Sequence, residues 1–549
     1  MDFEKLAQWL FPDVTLTPED MEKRYPERQL PQGAVVSRMA PSPTGFVHLG
    51  NLVQGLTSER LCHQSGGVLF LRIEDTDSKR EIPGAVKILI EALDHYGIRF
   101  DEGAGIDGDI GDYGPYTQSL RKDIYHVYAK YLTQKGMAYP CFCTEEDLEN
   151  MRKEQEAAHE NFGYYGKYAV WRDRSLEDIR RELDAGHPFV LRFRSTGNPE
   201  NKHKFTDLVK GEIVLTENEM DQVLLKSDGI PTYHFAHAVD DHLMRTTLVV
   251  RGDEWLPSLP FHVQLFQSLG FKLPKYAHIG PLMKMDGESK RKLSKRKDPE
   301  LALTFYESEG FPVSAVYEYI LGILNSNYED WRRANPDADP SGFAFSYKKL
   351  NPAGSLFDYD KLLNVSKNVI SRMTADQVFD ELLDYTKAYD PDLFASLTAD
   401  PDYAKAILSI GRGGKKPRKD LATWKEAKPY MSFFYDAMFE RTDPYPETIS
   451  QETVKKVLTA YLDMYEASDD QTVWFDKIKA LSESFGFATD MKAYKENPQD
   501  YPGSVADISG LIRVALTGRQ SSPDMYAVMQ ILGQDRVRAR LQNAVDALG

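Results

Sequence analysis

An α/β fold on a parallel sheet, split by an α+β insertion and followed by a mostly α-helical C-terminal region, is the architecture this sequence predicts. Three observations lead there. Between residues 34 and 96 strand-like and helix-like segments alternate twice, the rhythm of parallel strands joined by crossover helices. The next strong strand-like run, Thr247-Leu248-Val249-Val250-Arg251, lies far downstream, past a stretch of mixed patterns. Beyond about residue 300 strands become scarce and a 3.6-residue apolar period dominates.

In chain order, residues 1–30 are acidic and polar with no clear partner, and read as an N-terminal extension ending near residue 33. Ala34-Val35-Val36 opens an apolar strand that Pro41-Ser42-Pro43-Thr44-Gly45 breaks. A helix runs from Gly50 to a stop at Gly66-Gly67. Val68 to Ile73 reads as a buried strand, and Gly84 to Tyr96 as a helix. Charged helices near 144–157 and 175–184 belong to the insertion. The periodicity predicts further helices over 303–309, 313–325, 374–387, 451–467, 473–484 and 523–547.

A chain of 549 residues exceeds what one core usually organises, so several domains are expected. With 42% hydrophobic and 28% charged residues it has the balance of a soluble globular protein. No apolar run approaches the roughly 20 residues a membrane span needs, and the opening Met1-Asp2-Phe3-Glu4-Lys5 lacks a secretory layout. The three cysteines, Cys62, Cys141 and Cys143, are too few for a disulfide framework, so a reducing cytoplasm is expected. The net charge of −17 argues superficially against a polyanionic partner. Local patches decide such contacts, and two basic stretches stand out, Lys284 to Lys297 and Arg412 to Lys419.

Three segments carry chemistry. In the first, Ser37-Arg38-Met39-Ala40-Pro41-Ser42-Pro43-Thr44-Gly45 leads to His48-Leu49-Gly50-Asn51. A tight turn at a strand's carboxyl end followed by a helix N-terminus suits an anion such as a nucleotide phosphate. His48 and Asn51 add side-chain donors, and Gly50 permits close approach. The second, Arg72-Ile73-Glu74-Asp75-Thr76-Asp77, could be a metal cluster, a surface turn or an ammonium site. The third, Lys292-Leu293-Ser294-Lys295-Arg296, could close over a triphosphate, or be a solvated loop.

Taken together these segments resemble the two signature motifs of class I aminoacyl-tRNA synthetases, in the form used by bacterial glutamyl-tRNA synthetases. The resemblance extends to Gly114-Pro115-Tyr116-Thr117-Gln118-Ser119, to Leu225 through His234, to Val239-Asp240-Asp241-His242, to Arg251-Gly252-Asp253-Glu254-Trp255 and to Leu516-Thr517-Gly518. It covers about residues 34 to 549. It implies a Rossmann-type catalytic domain in two halves, 34–114 and 227–277, around an acceptor-binding insertion, 115–226. A stem-contact domain with the Lys-Leu-Ser-Lys-Arg loop, 278–372, and a helical anticodon-binding domain, 373–549, would follow.

The resemblance further implies ligation of L-glutamate to tRNA(Glu) through glutamyl-adenylate, in a monomer, with ATP consumed and Mg2+ accompanying it to neutralise phosphate charge. ATP would be held by Thr44, His48, Gly50, Asn51, Lys292, Ser294 and Lys295. Of these, His48, Asn51, Lys292 and Lys295 would stabilise the reacting phosphates. Glutamate would be held by Arg38, Ser42, Glu74, Tyr233, His237 and Arg251, with Trp255 packed nearby. The arginines suit a substrate with two carboxylates. Relatives commonly carry asparagine where this chain has His237, whose charge would depend on pH. Arg418 falls where the family meets anticodon bases. Cys141 and Cys143 look like half of a zinc site, but with Tyr168 the only further candidate ligand a fourth is missing, and zinc is not expected. Two sister families fit less well. Glutaminyl-tRNA synthetases usually carry Pro-x-Pro-Asn-Gly and end in β-barrels, and enzymes that glutamylate a tRNA base lack the anticodon region. A catalytically silent tRNA-binding protein would have little reason to keep His48, Asn51, Glu74, Arg251, Lys292 and Lys295.

Overall fold

A computed structural model describes residues 1–43, 45–77 and 82–549, the side chain of Ala493 excepted. Thr44, one of the expected ATP-binding residues, lies outside the described residues. The chain divides into two units, Met1–Phe305 with Ile320–Asp358, and Tyr306–Tyr319 with Tyr359–Gly549.

The first unit begins with two helices, Phe3–Leu10 (α1) and Pro18–Arg24 (α2), where an extension without a partner was expected. Phe3, Leu6, Ala7 and Leu10 recur at helical spacing, and Leu6 is buried with Phe142 and Ile179 of the insertion. Thr17 and Asp20 form a capping box at α2. After α2, the Tyr25 hydroxyl donates to Gly114 O at 2.9 Å. Arg28 lies over the Tyr113 ring at 3.8 Å and makes a bidentate pair with Glu102 at 2.7 and 2.9 Å.

Val36–Met39 (β1), Leu49–His63 (α3), Val68–Leu71 (β2), Ala85–His95 (α4) and Glu102–Gly103 (β3) follow, and the strands pair in parallel in the order β1-β2-β3. β2, Val-Leu-Phe-Leu, is apolar throughout, as a central parallel strand covered on both faces is, whereas β1 is buried along its whole length and takes Ser37 and Arg38 inside with it. Gly67 must be glycine because a Cβ there would collide with the Val35 carbonyl beside it.

The insertion supplies Lys122–Gln134 (α5), Ala138–Cys141 (β4), Glu145–Ala157 (α6), Leu176–Asp184 (α7), Val190–Phe193 (β5), Lys202–Asp207 (β6), Gly211–Thr216 (β7) and Val223–Leu225 (β8). Here β4, β5 and β8 form an antiparallel sheet, and β6 and β7 a hairpin. The parallel fold resumes with Tyr233–Leu243 (α8), Leu248–Gly252 (β9), Leu259–Leu269 (α9) and Lys275–Ile279 (β10). It rejoins the first half at a seam where Thr247 N–H donates to Val36 O and Val36 N–H to Thr247 Oγ1, both at 2.9 Å. Leu282–Asp286 (β11) and Ser289–Lys292 (β12) then form a hairpin carrying the lysine loop.

The second unit is helical. Its core gathers residues such as Leu382, Ile407, Val457, Ile512, Val528 and Leu541 from many helices. The helix expected over 523–547 is two, Met525–Leu532 and Gln534–Asp546, because Gly533 at φ +79° turns the chain between them. Helices at Tyr359–Arg372, Pro391–Ala399, Pro401–Leu408 and Val505–Thr517 were not expected from periodicity. The cysteine cluster also differs from expectation. The Tyr164 hydroxyl, not Tyr168, faces both thiols, at 3.5 Å from Cys141 Sγ and 3.6 Å from Cys143 Sγ. No helix among the described residues is long and apolar enough to cross a membrane.

Candidate active site

The carboxyl end of β1 and the start of α3 build the anion-facing side. His48 is the N-cap of α3. Its Nδ1 accepts from Asn51 N–H at 3.3 Å, while Asn51 Oδ1 accepts from His48 N–H at 3.0 Å. This reciprocal cap fixes both side chains. With Nδ1 used as an acceptor, the neutral ring carries its proton on Nε2, and the Asn51 NH2 is left as the free end of its amide. Burial, then Lys292 and Lys295, hold His48 below its ordinary pKa, so it is a neutral donor at pH 7. Gly50 is needed for a reason not read from sequence: a Cβ there would stand 2.9 Å from His48 Cε1 and Nδ1.

Openings lie on either side of this cap. One, of about 280 Å³, is lined by Ser42, Phe46, His48, Asn51 and Lys295 among others. The other, of about 260 Å³, is lined by Gly50, Gly252, Glu254, Gly280 and Lys292 among others. Lys295 Nζ sits 3.8 Å from the centre of the Phe46 ring, a cation–π contact that holds it over the first opening. The loop is pinned at its base, where Arg291 clamps Asp298 at 2.6 and 2.8 Å and Ser294 N–H donates to Asp298 at 2.8 Å.

Behind the cap lies a buried charge cluster. Arg38 Nε donates to Asp241 at 3.2 and 3.3 Å. Arg72 donates to Asp241 at 2.6 Å and to Glu74 at 3.0 Å. Arg121 donates to Asp240 at 2.7 Å, which also accepts from Tyr125 and Gln118. Burial opposes ionisation of Asp241, but Arg38 and Arg72 outweigh it and hold that carboxyl well below its usual range. Glu74 goes the other way: burial pushes it up to about 7 despite Arg72 and Arg38. Arg251, only 3% exposed, has no carboxylate within ion-pair distance among the described residues. Its Nη2 is buried with no hydrogen-bond partner. Tyr233 opens α8 and stacks between Trp255, at 4.1 Å, and His237, at 5.7 Å.

A description of the class I tRNA synthetases for glutamate and glutamine, catalytic domain, matches residues 34–329, and an anticodon-binding domain matches 504–545. A glutamate–tRNA ligase of Acetivibrio thermocellus is 50% identical over 99% of this chain and 100% of its own length. The chain belongs to the glutamate–tRNA ligase family. Another member, from Clostridium perfringens, is 46% identical over 98% of this chain and 100% of its own. A solved glutamate–tRNA ligase of Elizabethkingia meningosepticum, in complex with its amino acid, is 26% identical. It has a TM-score of 0.75 and covers 94% of this chain and all of its own.

The fold thus brings Arg38, Glu74, Tyr233, His237 and Arg251 within electrostatic reach of one another, and His48 and Asn51 line both openings. Ser42 is exposed at the first opening. His237 is less available than expected. Its Nε2 lies 3.0 Å from the Tyr276 hydroxyl, and Nδ1 lies 2.7 Å from Asp241 without a hydrogen-bonding angle. Burial pushes it down to about 3, so it is neutral throughout the physiological range, not a pH-dependent charge. In the second unit Arg418 is folded onto Asp420 through bonds of 2.8 and 2.9 Å. Sequence reasoning gave no role to Arg72, Asp240, Asp241, His262 or His278. The first three stood inside quoted motifs, and their signal was charge in otherwise apolar segments.

Proposed function

We propose that this chain joins L-glutamate to tRNA(Glu) in two steps, consuming ATP and releasing AMP and pyrophosphate. The observation that carries this reading is the buried, partly unpaired guanidinium of Arg251 beside the Arg38–Asp241–Arg72–Glu74 cluster. A buried cation without a carboxylate calls for an anionic ligand. Neighbouring Glu74 supplies the complementary place for the ammonium of an amino acid. Arg38, Ser42 and Tyr233 complete the pocket, and His237 supports the Tyr233 ring. ATP is held with its phosphates at the α3 N-terminus, against His48, Asn51 and the backbone at Gly50, with Lys292, Ser294 and Lys295 closing from the loop and Thr44 from the turn. Among the described residues no group of three or more His, Cys, Asp or Glu is arranged to hold an ion, so we assign Mg2+ to the ATP phosphates.

In the first step a glutamate α-carboxylate oxygen bonds to the α-phosphorus and the bond to the β-phosphate oxygen breaks. His48 Nε2–H, Lys292 and Lys295 stabilise charge on the departing pyrophosphate. In the second, a terminal ribose hydroxyl of tRNA attacks the adenylate carbonyl, and AMP leaves with the bridging oxygen. Positioning and electrostatics supply the acceleration. The domain limits given above, an acceptor role for 115–226, an anticodon role for Arg418, a cytoplasmic monomer and no zinc at Cys141 and Cys143 complete the proposal. The test is glutamate attachment to purified glutamate and glutamine tRNAs, with glutamine competing. Product on the glutamate tRNA is expected. Attachment of glutamine, or of nothing, overturns the reading.

A further inference from the structure

Arg251 is held by imidazoles. Its Nε–H donates to His278 Nε2 at 2.9 Å, and its Nη1 donates to His262 Nδ1 at 3.2 Å. A guanidinium is always protonated and has no acceptor, so each of those ring nitrogens must offer a lone pair. His278 therefore carries its proton on Nδ1, 2.6 Å from Asp207 Oδ2. His262 carries its proton on Nε2, 2.8 Å from His234 Nδ1. Asp207 is fixed in turn by the amides of Val209 and Lys210, both at 2.9 Å. Burial opposes its ionisation, but His278 and these amides outweigh it and hold Asp207 below its usual range. Burial also lowers all three histidines, His234 to about 4, and this agrees with neutral rings.

The contrast with Arg38 and Arg72 gives the chain its meaning. Those guanidiniums lean on Asp241 and Glu74 directly, which partly satisfies their charge. Arg251 is oriented at two corners by neutral acceptors, and the nearest acid on the His278 side is one imidazole away. Its charge and its unpaired Nη2 stay available. We infer that His278 and His262 are positioning residues for selection of glutamate over glutamine, holding Arg251 without neutralising it so that it captures the substrate's side-chain carboxylate. This rests on the reading that Arg251 meets substrate. The α-carboxylate must reach the ATP phosphates, which leaves the side-chain carboxylate for a guanidinium buried this deeply. Glutamine could offer its amide oxygen to Nη2 but no charge, leaving a buried cation uncompensated. The rings of Tyr276, at 4.8 Å, and Trp255, at 5.9 Å, add cation–π contacts to Arg251.

The test uses the full-length protein with tRNA, measuring KM for glutamate and for ATP and the glutamate-to-glutamine ratio of kcat/KM. Glutamine's side-chain oxygen can stand where His Nε2 stands, whereas asparagine's stands nearer Nδ1. His278→Gln should therefore keep the Arg251 acceptor that His278→Asn loses. We expect His278→Asn to raise the glutamate KM and lower the selectivity ratio by about tenfold each, with the ATP KM unchanged. His278→Gln should recover most of both losses. At His262, where Nδ1 is the acceptor, the order should invert, with Asn the better substitute. Because these are small polar exchanges at one site, equal melting temperatures within each pair separate positioning from folding. Equal KM and selectivity for Gln and Asn at both positions would overturn the inference. Arg251→Lys is the control for the underlying reading: an unchanged glutamate KM there removes Arg251 from the substrate site and fails that reading instead.

Discussion

Gly50, one residue in the cap of α3, shows how local geometry and function are joined. An alanine Cβ would press on the His48 ring and displace Nδ1 from Asn51 N–H. Helix propensity gains about 1 kcal/mol from Gly to Ala, and loss of a cap costs about 1 kcal/mol. The two nearly cancel, so Gly50→Ala should melt within a few degrees of the parent while the ATP KM rises about tenfold. Melting curves and ATP titration of pyrophosphate exchange check both halves. Glu74 gives a second expectation. With its carboxyl raised to about 7, the free site is increasingly protonated below that pH. The glutamate KM should therefore rise as pH falls through 7, and Glu74→Gln should raise KM and flatten the profile. The same shift means the folded state binds that proton more tightly than the unfolded chain. Stability from this group is thus present below about pH 4.5 and is lost as pH rises through 7. Part of the candidate site was legible: the turn and helix start that hold His48 and Asn51 suit an anion by their own pattern, whereas Arg38, Glu74 and Arg251 stood out only through the family resemblance. Their supports were not, because His262 and His278 look like ordinary core residues until a fold sets them around Arg251.

Among the secondary-structure elements, α3 and α4 match their expected spans within a residue or two, whereas the longest expected helix, 523–547, is broken at Gly533. Periodicity missed helices of up to 14 residues, such as Tyr359–Arg372, as well as short ones whose apolar stripe is only two turns long. α1 is such a case, since its burial depends on Phe142 and Ile179 far along the chain. The segment after α2 ties several elements together. Arg28 reaches Glu102 at β3 and donates from Nε to Met244 O after α8 at 3.1 Å. Truncating it strands a mostly buried carboxylate. Arg28→Ala should lower unfolding free energy by about 3 kcal/mol, the low end for a broken buried pair because the Tyr116 hydroxyl still donates to Glu102. Urea denaturation measures this, and a change under 1 kcal/mol would show that the segment after α2 contributes little to the fold.

The whole molecule carries a net charge of −17 and yet belongs to a family that handles a polyanion. Attraction must come from patches, and the Arg412–Lys419 loop is one whose members differ. Arg412 is spent inside the protein, donating to Leu408 O at 2.7 Å and to Ile370 O at 2.5 Å. The Arg418 guanidinium is paired with Asp420 near the surface, and under the proposed anticodon role it exchanges that partner for RNA. Arg418→Ala should raise the tRNA KM about tenfold and reduce the salt slope of tRNA binding by roughly 0.7 to 0.9, leaving the glutamate KM unchanged. Filter binding across a salt series reads the slope. The seam between β1 and β9 bears on biosynthesis. Arg38 and Arg251 come together only when Thr247 reaches Val36, so the two halves of the sheet are made far apart in time. At roughly 5–20 residues per second, a ribosome needs on the order of ten to forty seconds to pass from one arginine to the other. Throughout that interval β1 waits with an open edge beside it, the edge the nascent chain must keep from other strands until its partner emerges.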